Sequence, residues 1–147
     1  MSEDASDLLT AMAECLGHEF FLLYVLVVPR GPELPGRYQS PLLQLADVRI
    51  VLDEHSALFE QDGRHHVWIG SADGAGTIVY DRHDIVYAYG PLPTFEELLR
   101  RRGFEAGQFT LATPHSHHYH HQFDASVRAL LDRWDWHRTD LRPEDDY

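Results

Sequence analysis

Residues 77–89 read TIVYDRHDIVYAY. Two runs of β-branched and aromatic residues, TIVY and IVYAY, flank the polar stretch DRHD. Run, turn and run make a hairpin, so at least part of the sheet is antiparallel. Tyr87 and Tyr89 are two residues apart and share one strand face, which gives that face an aromatic character.

Upstream of the hairpin, Asp62-Gly63 turns the chain into a further strand, RHHVWIG, and SADGAG follows as a loop. His65 and His66 are neighbours on that strand and point to opposite faces, so one of them meets the core or a helix. The run HEFFLLYVLVVPR is apolar without alternation, the mark of a strand covered on both faces, and Pro29 ends it. Residues 29–41, PRGPELPGRYQSP, hold four prolines and two glycines and read as a stiff loop, either a recognition element or a plain connector.

A first helix follows Ser6 as N-cap, with Leu8, Leu9, Met12, Ala13 and Leu16 on one face and Gly17 closing it. Residues 45–60 carry two patterns: Val48, Ile50 and Leu52 alternate like a strand, while Leu45, Val48, Leu52 and Phe59 fit a helix capped by Asp47. The longer window favours the helix. Thr94 and Glu97 suggest a capping box for the helix FEELLRRR, closed by Gly103. QFTLA, residues 108–112, reads as one more strand. Asp124 can cap a last helix striped by Val127, Leu130, Leu131 and Trp134. The acidic ends, 1–5 and 143–147, read as short disordered tails. Together these elements predict an α+β fold in a single domain over 1–147. Its sheet is mainly antiparallel, of about 4–6 strands, with helices packed on it.

The chain has 147 residues, 24 acidic and 12 basic, for a formal charge of −12. That field repels nucleic acid and anionic lipid and suits a basic protein partner. Every basic residue is arginine; lysine and asparagine are absent, as expected of a GC-rich bacterial genome, and no lysine can serve as a Schiff base. Cys15 is the single cysteine, so no internal disulfide forms. The acidic start MSEDASD lacks the basic region of a signal peptide, and the longest apolar run is far too short to span a bilayer. The expected location is the bacterial cytoplasm.

The sequence HSHHYHH, residues 115–121, puts five histidines in seven positions. Extended, His115 and His117 share one face and His118 and His120 the other; helical, His117 and His121 stand one turn apart. Either arrangement offers two neighbouring ligands for a divalent metal, zinc or iron, whereas a firm site takes three or four. His65, His66, His83, Asp73, Asp81 and Asp84 could complete it. The competing readings are a histidine-rich loop with adventitious metal affinity and a contact surface sensitive to pH. No HExxH, cysteine pair, GxSxG elbow, P-loop or GxGxxG is present, so no catalytic residue or cofactor is assigned. Arg37, Tyr38, Tyr87, Tyr89 and Tyr119 are the candidate partner contacts, because half-buried aromatics and arginine anchor interfaces.

Residues 66–102 resemble the later part of the SMI1/KNR4-like immunity superfamily. The matching pieces are Ile69-Gly70-Ser71 at a strand end, the loop Gly74-Ala75-Gly76, the hairpin turn at Tyr80-Asp81, and the helix start Thr94-Phe95-Glu96-Glu97. They span about a quarter of the chain. The resemblance implies an acidic α+β protein that binds and blocks a toxin and is not an enzyme. The residue reading leads the same way, to a small cytoplasmic protein-binding module for a basic partner, with enzyme activity unassigned. The alternatives are a metal-dependent enzyme built on His115–His121 and a structural homodimer.

Overall fold

The structure is a computed structural model that describes residues 5–107 and 119–146. It is an α+β fold around a seven-stranded antiparallel sheet. The strands are β1 (Glu19–Leu26), β2 (Gly36–Gln39), β3 (Leu43–Gln44), β4 (His65–Ser71), β5 (Thr77–Tyr80), β6 (Val86–Tyr89) and β7 (His137–Thr139). Their order is β6-β5-β4-β1-β2-β7, with β3 paired to the start of β1. The sheet is wider than the expected four to six strands. Three strands not read from the sequence, β2, β3 and β7, come from segments too short or too proline-rich to show a strand pattern.

The helices are α1 (Ala5–Glu14), α2 (Leu45–Glu54), α3 (Ser56–Gln61), α4 (Leu92–Arg101) and α5 (Asp124–Asp132). Their apolar residues meet one face of the sheet in a single core. Leu8, Leu9 and Met12 of α1, Val48, Val51 and Leu52 of α2, Phe95 of α4 and Leu130 of α5 join Phe20, Leu22, Tyr24, Val67, Ile69 and Ile78 there. In β1 the core residues alternate with Phe21, Leu23 and Val25, which point away from this core, as the pleat requires. β1 lies between β4 on one side and β2 and β3 on the other. Residues 45–60 form two helices, and Gln44 rather than Asp47 stands at the N-cap of the first. The Gln44 backbone N–H donates to the Asp47 carboxylate at 3.0 Å, so Asp47 acts from the third helical position.

Four other sequence expectations are corrected. The stretch 29–41 is not loop throughout, because Gly36–Gln39 pairs antiparallel with Leu23–Leu26. Prolines 29, 32, 35 and 41 lie outside that strand, where no ladder hydrogen bond needs their missing N–H. The helix after Gly90 starts at Leu92, with Pro93 in its first turn, so Thr94 is inside it and caps nothing. Ser6 sits within α1, and its hydroxyl donates to Asp53 of α2. The acidic end is ordered at least through Asp145: Pro143–Asp145 is a 3-10 turn, and Asp145 is buried. The expected strand at 108–112 lies outside the described residues.

The 77–89 hairpin forms as read, with a three-residue loop. Asp84 N–H bonds the Asp81 carbonyl at 3.1 Å and Asp81 N–H bonds the Ile85 carbonyl at 3.0 Å. Asp84 takes φ of 63° between them. This is a type I turn followed by a bulge residue in the left-handed region, which aspartate tolerates. The Asp81 carboxylate accepts the N–H groups of His83 and Ile85 at 2.9 and 3.1 Å and fixes the loop.

Candidate protein-binding surface

The face of the sheet turned away from the helices is ordered in cross-strand rows. One row runs Leu23, Trp68, Val79, Tyr87 across β1, β4, β5 and β6. The next runs Phe21, Gly70, Thr77, Tyr89. None of these side chains belongs to the main core. Trp68, Thr77, Val79, Tyr87 and Tyr89 line an open concavity of about 490 Å³. Gly70 is the missing side chain of the second row: a Cβ there would meet nothing nearer than the Phe21 carbonyl and Thr77 hydroxyl oxygens at 3.9 Å. The hollow therefore follows from the sequence, with aromatics on three corners and glycine between.

The third row closes the opposite end of this face. Arg37 of β2 lies opposite Val25, and Val25 lies opposite His66. All three are buried. The C-terminal turn covers them. Arg37 Nη1 donates to Asp145 at 2.5 Å, and both side chains are almost wholly enclosed. His66 Nε2 lies 2.8 Å from the Asp145 carbonyl, while its Nδ1 accepts the Arg82 backbone N–H at 3.1 Å. Those roles require a neutral ring protonated on Nε2. Burial lowers its pKa from the usual imidazole value, against the opposing pull of the Asp145 carbonyl and Asp81. Asp145 also accepts the Arg142 N–H at 2.7 Å. The Arg37 guanidinium stacks over the Trp68 ring at 5.0 Å and joins the sealed row to the open one.

A second buried cluster holds the start of α5. Arg64, 1% exposed, pairs with Asp62 through Nε at 2.8 Å and Nη2 at 2.9 Å, reaches Asp124 at 3.0 Å, and donates to the His120 carbonyl at 2.9 Å. The His120 N–H returns to Asp62 at 2.9 Å. Burial alone would raise the Asp62 pKa, but Arg64 and the His120 N–H hold it below the ordinary carboxylate value. Asp124 is thus an ion-pair partner of Arg64 and Arg30.

Charge is distributed asymmetrically. Among the described residues, Arg30, Arg37, Arg49, Arg64, Arg82, Arg100, Arg101, Arg128, Arg133 and Arg138 each lie within 4.0 Å of a carboxylate of the same chain. Carboxylates outnumber arginines two to one, so the surplus gives the surface its negative field. Exposed Glu19 lies on the same strand face as Phe21. Asp73 and Asp84 lie in the turns at either end of β5; Asp73 accepts hydrogen bonds from the Ser71 hydroxyl and the Ala75 N–H, and Asp84 from the hydroxyl of the core residue Tyr80.

The sequence-derived candidates separate on this map. Tyr87 and Tyr89 stand on the open face, and Tyr89 is 59% exposed. Arg37 is enclosed under Asp145. Tyr38 points to the helix side, where it packs on the core, and its hydroxyl donates to the Leu34 carbonyl at 2.5 Å. Tyr119 is exposed beside Arg82, whose Nη2 donates to its hydroxyl at 3.3 Å. Trp68, Val79 and Gly70 complete the hollow. The alternation of RHHVWIG already put Trp68 and Gly70 on one face, but not beside Tyr87 and Tyr89.

His115, His117 and His118 lie outside the described residues. His120 is fixed through its backbone to Asp62 and Arg64, and its ring packs edge-on to Phe123 at 5.9 Å. His121 is exposed. His65 and His66 are both buried, one on each side of the sheet. His65 sits against Tyr24 and Phe59, and burial pushes its pKa down to about 3. Among the described residues no three His, Cys, Asp or Glu side chains come together as a metal site. No helix among them is long and apolar enough to cross a membrane. Compared with protein families, curated proteins and solved structures, the chain matches none.

Proposed function

We propose that this chain is an acidic protein-binding module, an inhibitor of the immunity type, that docks a basic protein partner in the bacterial cytoplasm on the helix-free face of its sheet. The supporting observation is the hollow formed by Trp68, Thr77, Val79, Tyr87 and Tyr89. It is apolar at its centre, exposed Glu19 lies on the same sheet face, and the chain as a whole carries 24 acidic against 12 basic residues. Aromatic anchors surrounded by polar groups are the pattern of interface hot spots. The surplus of carboxylates steers a cationic surface toward the hollow and works against pairing of two identical acidic copies. Binding here needs no catalytic group.

The test substitutes Gly70→Val. The Cβ has room, and valine suits a strand, so the fold stands while the hollow fills. Quantitative capture from the host extract compares the wild-type chain with this variant at low and high salt. The expected result is a basic protein held by the wild type, released by salt and lost with Gly70→Val. The same proteins held equally by both chains would sink the reading.

A further inference from the structure

The hydrogen-bond phase of the 77–89 hairpin fixes where the backbone of β6 points. The Asp81 N–H bonds the Ile85 carbonyl, and in the β5–β6 register this makes Val79–Tyr87 and Thr77–Tyr89 the hydrogen-bonded pairs. The other side of β5 gives the same phase. Ser71 N–H bonds the Gly76 carbonyl, so Ile69–Ile78 and Val67–Tyr80 are the bonded pairs with β4, leaving Thr77 and Val79 to face β6. In β6, Tyr87 and Tyr89 therefore use their backbone groups inward. Val86 and Ala88 present their N–H and C=O outward from the edge of the sheet.

Among the described residues the sheet ends at β6 and β7, and these two edges differ in their protection. The β7 edge is three residues long and carries Arg138, which is tied to the Pro35 carbonyl and Asp140. Charge and short length are the usual means of keeping an edge from pairing. The β6 edge, Val-Tyr-Ala-Tyr, holds no charge and no proline. It adjoins the hollow through Tyr87 and Tyr89, and exposed Asp84 precedes it.

We infer that β6 is a docking edge for an extended basic segment of the partner, which adds a strand by bonding the outward groups of Val86 and Ala88. This rests on the protein-binding reading above and names the form of the partner. Alternate side chains of the added strand fall on the hollow side beside Tyr87 and Tyr89, and the chain's excess of 24 acidic over 12 basic residues favours cationic ones there. Main-chain bonds supply affinity, and cationic or apolar side chains on that face supply selectivity.

The experiment uses a blocked peptide, acetyl-RVRVRVR-amide, its glutamate counterpart EVEVEVE, and the arginine peptide N-methylated at alternate residues. Nitrogen-15 NMR of the full chain follows the Val86 and Ala88 amides. In the expected result both exchange quickly in the free chain and at least tenfold more slowly with the arginine peptide, while the glutamate peptide leaves them unchanged. Ala88→Pro removes an outward N–H, at the cost of a fixed φ and a larger side chain where Ala88 packs against the core, and weakens the peptide at least tenfold. N-methylation of the peptide does the same without altering the protein, which guards against a variant that folds poorly.

The inference is overturned if Val86 and Ala88 are already protected in the free chain, the sign of an edge occupied by the protein itself. It is equally overturned if neither peptide binds, if the glutamate peptide binds as well, or if Ala88→Pro and N-methylation change nothing. These outcomes separate from those of the hollow. Capture lost with Gly70→Val but kept with Ala88→Pro leaves the face standing and removes the edge; the reverse removes the face.

Discussion

The two ends of the helix-free sheet face use the same strands to opposite purposes. At one end Arg37, Val25 and His66 are covered by the turn at Pro143–Asp145 and tied down by a buried ion pair. A few residues along the same strands, half-buried Trp68 and Tyr87 and exposed Tyr89 stand around a hollow floored by Val79. Charge in the first region is matched and enclosed, whereas the second is lined by aromatic rings, valine and threonine with no charged side chain among them. The contrast teaches that burial, not residue type, separates a structural arginine from a contact residue. Arg37 and Tyr87 are equally good interface residues by composition, yet only one of them faces solvent.

The sharpest way to break this contrast is at the sealed end. Arg37→Ala leaves the Asp145 carboxylate enclosed without its partner and should destabilise the fold by about 3–5 kcal/mol in urea unfolding. The paired replacement Arg37→Met with Asp145→Leu removes both charges and should recover most of that loss, to within about 1 kcal/mol of wild type, since apolar substitutes often match a buried pair. A double variant no better than Arg37→Ala would show that the turn is held by something else.

Acid provides the next effect. His65 and His66 are both neutral in the fold, with pKa values depressed below the ordinary imidazole value. The unfolded chain therefore binds more protons as pH falls below about 6.5, so stability is complete above that value and declines beneath it. For His65, at about 3, the loss from pH 7 to pH 5 is about 2 kcal/mol. His65→Phe should flatten the urea midpoint over that range by this amount, while the residual slope reports His66 together with His55, whose pKa burial also lowers. Identical slopes in variant and wild type would refute the assignment.

The open end should respond least in stability. Tyr89→Ser, at a position 59% exposed, is expected to shift unfolding by no more than about 0.5 kcal/mol. It should nonetheless weaken a captured partner by about 1 kcal/mol or more, measured by calorimetry. A large stability loss with no change in binding would make the open rows part of the core and erase the distinction.

Much of the fold was legible because its signals are local. The hairpin at 77–89 combines β-forming runs with a turn that aspartate builds by itself. Gly103 closes α4 as read: Phe104 N–H bonds the Leu99 carbonyl at 3.0 Å across a glycine at φ of 90°. What escaped depends on distant partners. Gly36–Gln39 lies amid prolines and becomes a strand only because β1 offers it an edge. The acidic end looks like a solvated tail until Arg37 is placed beneath Asp145. Half of the hollow, Tyr87 and Tyr89, was visible in one strand; Trp68 and Gly70 joined it through a register that spacing alone does not fix.

The Arg37–Asp145 pair also carries a consequence in time. Its members are 108 residues apart in the chain. At ordinary rates of protein synthesis the carboxylate emerges about 5–20 seconds after the guanidinium it neutralises. During that interval β1, β4 and the hairpin can already assemble, with Val25 and His66 uncovered. A newborn molecule thus passes through a stage in which more of the sheet is sticky than in the finished one, and its safety in a crowded cell depends on how quickly residues 143–145 follow.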